Sequence, residues 1–103
     1  VRVPFPHIER PVLVPRPALV LSPGPLGPAG LLTWMLMITN AERPEWPRDV
    51  PIANSRELGL IVQSKIRTAK IAAVETATAS LLGRLDAGTL RQVLDLVRSS
   101  LGL

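Results

Sequence analysis

The residues best placed to do chemistry in this chain stand at the mouth of an apolar run, Val14-Pro15-Arg16-Pro17-Ala18-Leu19-Val20-Leu21-Ser22, where one arginine is held between two prolines. Proline fixes its own φ and drives the preceding residue toward extended geometry, so Arg16 is pinned at a strand entrance. Its guanidinium stays charged at any working pH and offers a planar fork that suits a phosphate or a carboxylate. The plainer reading is an arginine whose stem covers apolar surface while its head meets water. Ahead of it, in a proline-bounded stretch, stand His7 and Glu9. A histidine exchanges protons near neutral pH, which makes this pair the titratable candidates, against the reading that both are ordinary exposed loop residues.

Composition bounds what such residues can do. The 103 residues suit one domain spanning 1–103, and 47% hydrophobic content is enough for a core without staples. The chain has no cysteine and one histidine. That excludes a disulfide framework, a thiol nucleophile, a Cys-based zinc site and a His-rich metal site, and fits a reducing cytoplasm. The apolar run at residues 31–38 is far shorter than the roughly 20 residues a membrane-spanning helix needs, so no membrane partner is expected. Twelve Lys and Arg against eight Asp and Glu give a formal charge of +4, which favours polyanions. The basic residues are scattered rather than run together, as they also would be on a merely solvated surface. The opening Val1-Arg2-Val3 has no methionine before it, and some leading residues are expected to precede it.

Residues 1–5 alternate as a first strand, with Val1, Val3 and Phe5 on one face. Residues 6–15 form a stiff, proline-rich connection, 16–22 a second strand, and 23–30 a Pro/Gly turn region. Residues 31–39 are apolar on both faces, which calls for the core on one side and a helix or second subunit on the other. A polar loop at 40–48 carries Trp46. Short strands are predicted at 49–52, 59–63 and 66–72, with a bend near Ser64 and Lys65, a helical turn at 74–78 and a last strand at 79–84. Asp86 N-caps a terminal helix whose stripe is Leu90, Val93, Leu94, Val97 and Leu101, ended by Gly102. The sum is a mainly β, α+β fold: a small SH3-like barrel with a C-terminal amphipathic helix.

The ordered set Val-Pro-Phe, RPALVLS, an apolar strand ending MIT, DVPI, IRT and Gly83-Arg84-Leu85 before the helix resembles the MazF/PemK toxins over nearly the whole chain. The family's Arg-Pro at the start of the second strand is matched by Arg16-Pro17, and its hydroxyl pair at the end of the third by Thr39-Asn40. The resemblance implies a cytoplasmic, homodimeric, cofactor-free endoribonuclease toxin that cuts single-stranded RNA and is silenced by a cognate acidic antitoxin. RNA carries its own nucleophile, the 2′-hydroxyl, so such an enzyme must orient that oxygen, move protons and stabilise phosphate charge, leaving a 2′,3′-cyclic phosphate and a 5′-hydroxyl. Catalysis then falls to Arg16 as an electrostatic group, Thr39 as a hydroxyl donor, and His7 and Glu9 as proton carriers. RNA binding falls to Asn40, Arg43, Trp46, Arg48, Ser64, Lys65, Arg67 and Thr68, with Trp46 as the base-stacking aromatic. Departures from the pattern are the apolar first loop, Asn40 in place of a hydroxyl, and Val62-Gln63-Ser64 where relatives carry an acid and a nearby arginine. The alternative function is a catalytically degenerate SH3-like module that binds RNA or a partner peptide; a DNA-binding repressor lacks its helix-turn-helix.

Overall fold

The computed structural model describes residues 1–6 and 13–103. Five antiparallel strands, β1 (Arg2–Pro6), β2 (Leu13–Val20), β3 (Leu32–Asn40), β4 (Asp49–Ile52) and β5 (Ser64–Glu75), are followed by one helix, α1 (Ala87–Ser100). They lie in the order β1-β2-β3-β5-β4, so the sheet curls without closing into a barrel.

Prolines explain how β2 is built. Its first half pairs with β1, in the register Arg2↔Pro17, Val3↔Arg16 and Pro4↔Pro15, while Ala18, Leu19 and Val20 pair with β3. Residues opposite one another in an antiparallel ladder alternate between exchanging and not exchanging N–H groups. Pro4, Pro15 and Pro17 all share the parity of Arg2, whose own N–H turns outward to Ser80 O at 2.8 Å. The ladder therefore runs through Val3↔Arg16, continued by Ala18 N donating to Val1 O at 2.7 Å. The flanking prolines leave Arg16 as the ladder residue at the point where β2 passes from one partner to the other.

Strand β3 separates two cores, as its two apolar faces require. On one side Leu36, Val50, Ile52, Leu60, Ile66 and the helical Val93 pack together; on the other, Met35 and Met37 meet Val3 and Ala18. Full burial of such side chains contributes about 1.5–3 kcal/mol each. The methionine face is thus covered by β1 and β2 of the same chain, while the Leu36 face meets the helix, one of the two covers that the pattern of residues 31–39 calls for. Helix α1 closes the other core through Val93, Leu96 and Val97, while Leu94 and Leu101 of the expected stripe stay exposed. Asp86 caps the helix, its carboxylate accepting from Thr89 N at 2.9 Å and Thr89 Oγ1 at 2.7 Å. That pairing holds the Asp86 carboxyl below the usual carboxylate range.

Several expected elements differ, among them the second strand, which runs over Leu13–Val20 rather than 16–22. Residues 64–75 form one continuous strand with no break at Ser64 and Lys65, and the helical turn is the 3₁₀ segment Thr76–Thr78. The last strand expected at 79–84 reduces to a bridge between Arg2 and Ser80, because Gly83 and the leucines around it pack as irregular chain. No strand forms at 59–63: Gly59 adopts φ +81°, the left-handed cap of the 3₁₀ turn Ser55–Leu58, and that reversal leaves the next residues no ladder to join. No helix among the described residues is long and apolar enough to cross a membrane.

Candidate active site

Where β2 changes partner, a cleft of about 500 Å³ opens across the ends of the central strands. Arg16 comes to it from β2, Thr39 and Asn40 from the end of β3, Ser64 from the start of β5, and Arg43 from the loop that follows β3. The register brings them together, since Asn40 lies opposite Ser64 and Thr39 opposite Lys65. These five sequence-predicted residues therefore share one space, although Arg16 and Ser64 are far apart along the chain.

Arg16 is half-buried, and its Nε is shut off from solvent with no hydrogen-bond partner among the described residues. An unsatisfied buried donor on a cation costs about 1–3 kcal/mol, so Arg16 is held in the cleft wall at a cost to stability. The Thr39 hydroxyl is likewise unengaged among the described residues. Asn40 acts on the loop instead, its Oδ1 accepting from Glu42 N at 2.9 Å in an Asx turn that starts the segment. The Ser64 hydroxyl donates to Val62 O at 2.7 Å and so shapes the rim.

Among the described residues, the structure keeps Trp46, Arg48, Lys65, Arg67 and Thr68 away from the cleft. Lys65 and Arg67 are buried, at 3% and 7% exposure, and grip the loop at 41–48 from beneath. Lys65 Nζ donates to Arg43 O at 2.6 Å and to Glu45 Oε2 at 2.9 Å. Arg67 donates to Asp49 Oδ2 at 2.9 Å and to Pro44 O at 3.1 Å, and its guanidinium lies 4.0 Å from the centre of the Trp46 ring. The Asp49 carboxylate also accepts from Trp46 N at 3.0 Å and lies 3.8 Å from Lys65. Buried cations need such partners, because desolvation of an unpaired charge outweighs what packing returns. One face of Trp46 is thus already taken by a cation.

Thr68 donates to Arg48 O at 2.8 Å. Arg48 itself has φ +70°, and its Nη1 reaches Leu96 O and Ser100 Oγ at the C-terminal end of α1, where a cation meets the negative pole of the helix. His7, Glu9 and Arg10, and the side chain of Phe5, lie outside the described residues.

Sequence reasoning missed part of the wall. Arg2 lines the cleft beside Arg16, and so do Leu60, Ile61 and Val62. The signal for Arg2 was a lone cation in an alternating Val-Arg-Val strand. For the apolar trio it was Gly59, which ends the turn before them. Among the described residues no acidic side chain lines the cleft, so Arg2, Arg16 and Arg43 face it without a counterion in its wall. Among the described residues no group of three His, Cys, Asp or Glu is placed to hold a metal.

No curated protein matches this chain. Among solved structures it is similar to an endoribonuclease in complex with its cognate antitoxin from a mycobacterial species, with 16% identity and a TM-score of 0.71 over 99% of this chain and 92% of that one. It is also similar to a chain of the MazE–MazF crystal structure from Deinococcus radiodurans, with 25% identity and a TM-score of 0.67 over 86% of this chain and 83% of the other. Residues 1–101, which hold the cleft, both cores and all but the end of the chain after α1, match one family throughout: the chain belongs to the PemK-like, MazF-like toxins of type II toxin-antitoxin systems.

Proposed function

We propose that this toxin is an endoribonuclease whose cleft binds single-stranded RNA and cuts it without a metal ion. The observation that carries this reading is a cleft whose described wall brings Arg2, Arg16 and Arg43 together with Thr39 and holds no carboxylate. The 2′-oxygen attacks the adjacent phosphorus, the bond from phosphorus to the 5′-oxygen breaks, and the products are a 2′,3′-cyclic phosphate and a 5′-hydroxyl. Arg16 stabilises the charge that builds on the non-bridging oxygens, and the Thr39 hydroxyl donates to the same phosphate. The proton leaving the 2′-hydroxyl and the one reaching the 5′-oxygen need titratable carriers, for which the sequence offers His7 and Glu9.

Two partners belong to the proposal. A cognate antitoxin, such as accompanies the mycobacterial endoribonuclease, would present an acidic and apolar segment that competes with RNA for Arg16 and Arg43. A second copy of the chain would cover the apolar side chains left in solvent on the sheet, Trp34 at 49% and Ile71 at 54% exposure. Light scattering should then report about twice the 11.1 kDa chain mass.

Incubation of the purified protein with a long unstructured RNA in EDTA, followed by end mapping, tests the chemistry. Cleavage leaving cyclic phosphate ends is expected. Intact RNA from a folded protein would replace the nuclease with a module that binds RNA or a peptide.

A further inference from the structure

The residues Ile61 and Val62 form an exposed apolar tip on the lip of the cleft, at 80% and 41% exposure. A solvated isoleucine alone is ordinary on a protein surface, but here the backbone is fixed on both sides of it. On one side Leu60 is buried in the core, with its N–H on Ser55 O at 3.1 Å. On the other, Gln63 donates through Nε2 to Ile52 O at 2.6 Å and accepts from Ala41 N at 2.8 Å. The Ser64 hydroxyl holds Val62 O at 2.7 Å. These bonds hold the tip in place over the cleft, already ordered before any ligand arrives, which removes an ordering cost from binding.

The occupant must satisfy two walls at once. One carries guanidinium groups and asks for an anion, while the other is aliphatic and asks for a flat or greasy face with no charge. A nucleotide unit has this division, with phosphate on one side of the sugar and a base on the other. We infer that Ile61 and Val62 pack against a nucleobase next to the phosphate bound at Arg16, and so contribute to which RNA sequence the cleft accepts. The inference rests on the RNA reading above. It also accounts for a cleft whose described wall holds no aromatic side chain: the base meets aliphatic carbon rather than a ring.

The test uses an oligoribonucleotide with a mapped cleavage site, blocked by a 2′-O-methyl group at the scissile nucleotide and carrying an abasic residue at each neighbouring position in turn. Wild type should lose about tenfold in affinity at one abasic position, the loss expected when one small apolar contact is removed. The double variant Ile61→Ser, Val62→Ser, whose positions face solvent, should bind the intact RNA about tenfold more weakly and be indifferent to that abasic residue. If variant and wild type share the same abasic profile, the tip does not touch a base and the inference falls while the nuclease reading stands. If wild type binds no RNA, both fall. If the variant binds RNA normally but changes the molecular mass seen by light scattering, the tip belongs to contact between copies, and the inference is likewise overturned.

Discussion

Two cationic regions lie within a few residues of each other on either side of the β3 to β4 loop, and they are built on opposite terms. In the cleft, Arg16 meets no acceptor among the described residues through its Nε, and no carboxylate among them lines the space. Beneath the loop, Lys65 and Arg67 are more deeply buried yet supplied with Asp49, Glu45 and two loop carbonyls. The difference teaches that burial of a cation is not by itself a functional sign; the number of lone pairs already committed to it is. One region sets its arginines around a space with no carboxylate in its described wall, and the other uses Asp49 and Glu45 to hold a loop in place.

The largest expected effects separate these regions most cleanly. Asp49→Ala leaves buried Arg67 without a carboxylate, Lys65 keeping Glu45, and should destabilise the protein by about 3–5 kcal/mol, read by urea unfolding. Arg16→Ala removes an unpartnered buried donor and should leave the protein at least as stable as wild type, yet lower cleavage by on the order of 10²–10³. A folded Arg16→Ala protein that cuts normally would erase the distinction. Thr39→Val should cost less in rate than Arg16→Ala, with the fold intact.

Arg43 sits between the two regions, its backbone carbonyl in the paired network and its residue on the cleft wall. Arg43→Ala should therefore keep the network and weaken RNA binding, with the salt slope reduced by about 1. An unchanged slope would place Arg43 with the structural cations.

The smallest effect lies on α1, away from both regions. Because the Asp86 carboxyl is held below its ordinary value of 3.8, first by the Thr89 N–H and then by the Thr89 hydroxyl, its contribution is present above that value and lost as pH falls through the lowered one. Asp86→Ala should lower the melting temperature by a few degrees near neutral pH, and the gap from wild type should close as the solution is acidified. A gap that persists at low pH would mean that the cap does not act through its charge.

Much of the scaffold was legible. Strand periodicity gave β1, β3 and β4 within a residue or so, and Asp86 with the leucine and valine stripe gave α1, because local patterns of two and of three to four report burial directly. Arg16, Thr39 and Asn40, named together only through the family resemblance, line one cleft. What failed was local in appearance and tertiary in cause. Residues 59–63 look like a strand until Gly59 takes a positive φ. Lys65 and Arg67 look like surface cations on a basic protein until Asp49, Glu45 and the loop carbonyls are brought over them, a pairing that no spacing along the chain announces.

The position of Val93 has a consequence for the order in which the molecule becomes complete. Strands β2, β3 and β5, which carry Arg16, Thr39 and Ser64, leave synthesis well before α1, yet Leu36, Ile52 and Ile66 beneath them are sealed by Val93. A growing chain that has reached β5 has all the cleft residues and an open core, and acquires its plug only with the final helix. Under the nuclease reading, a chain made only as far as β5 carries every cleft residue on a core that Val93 has not yet sealed.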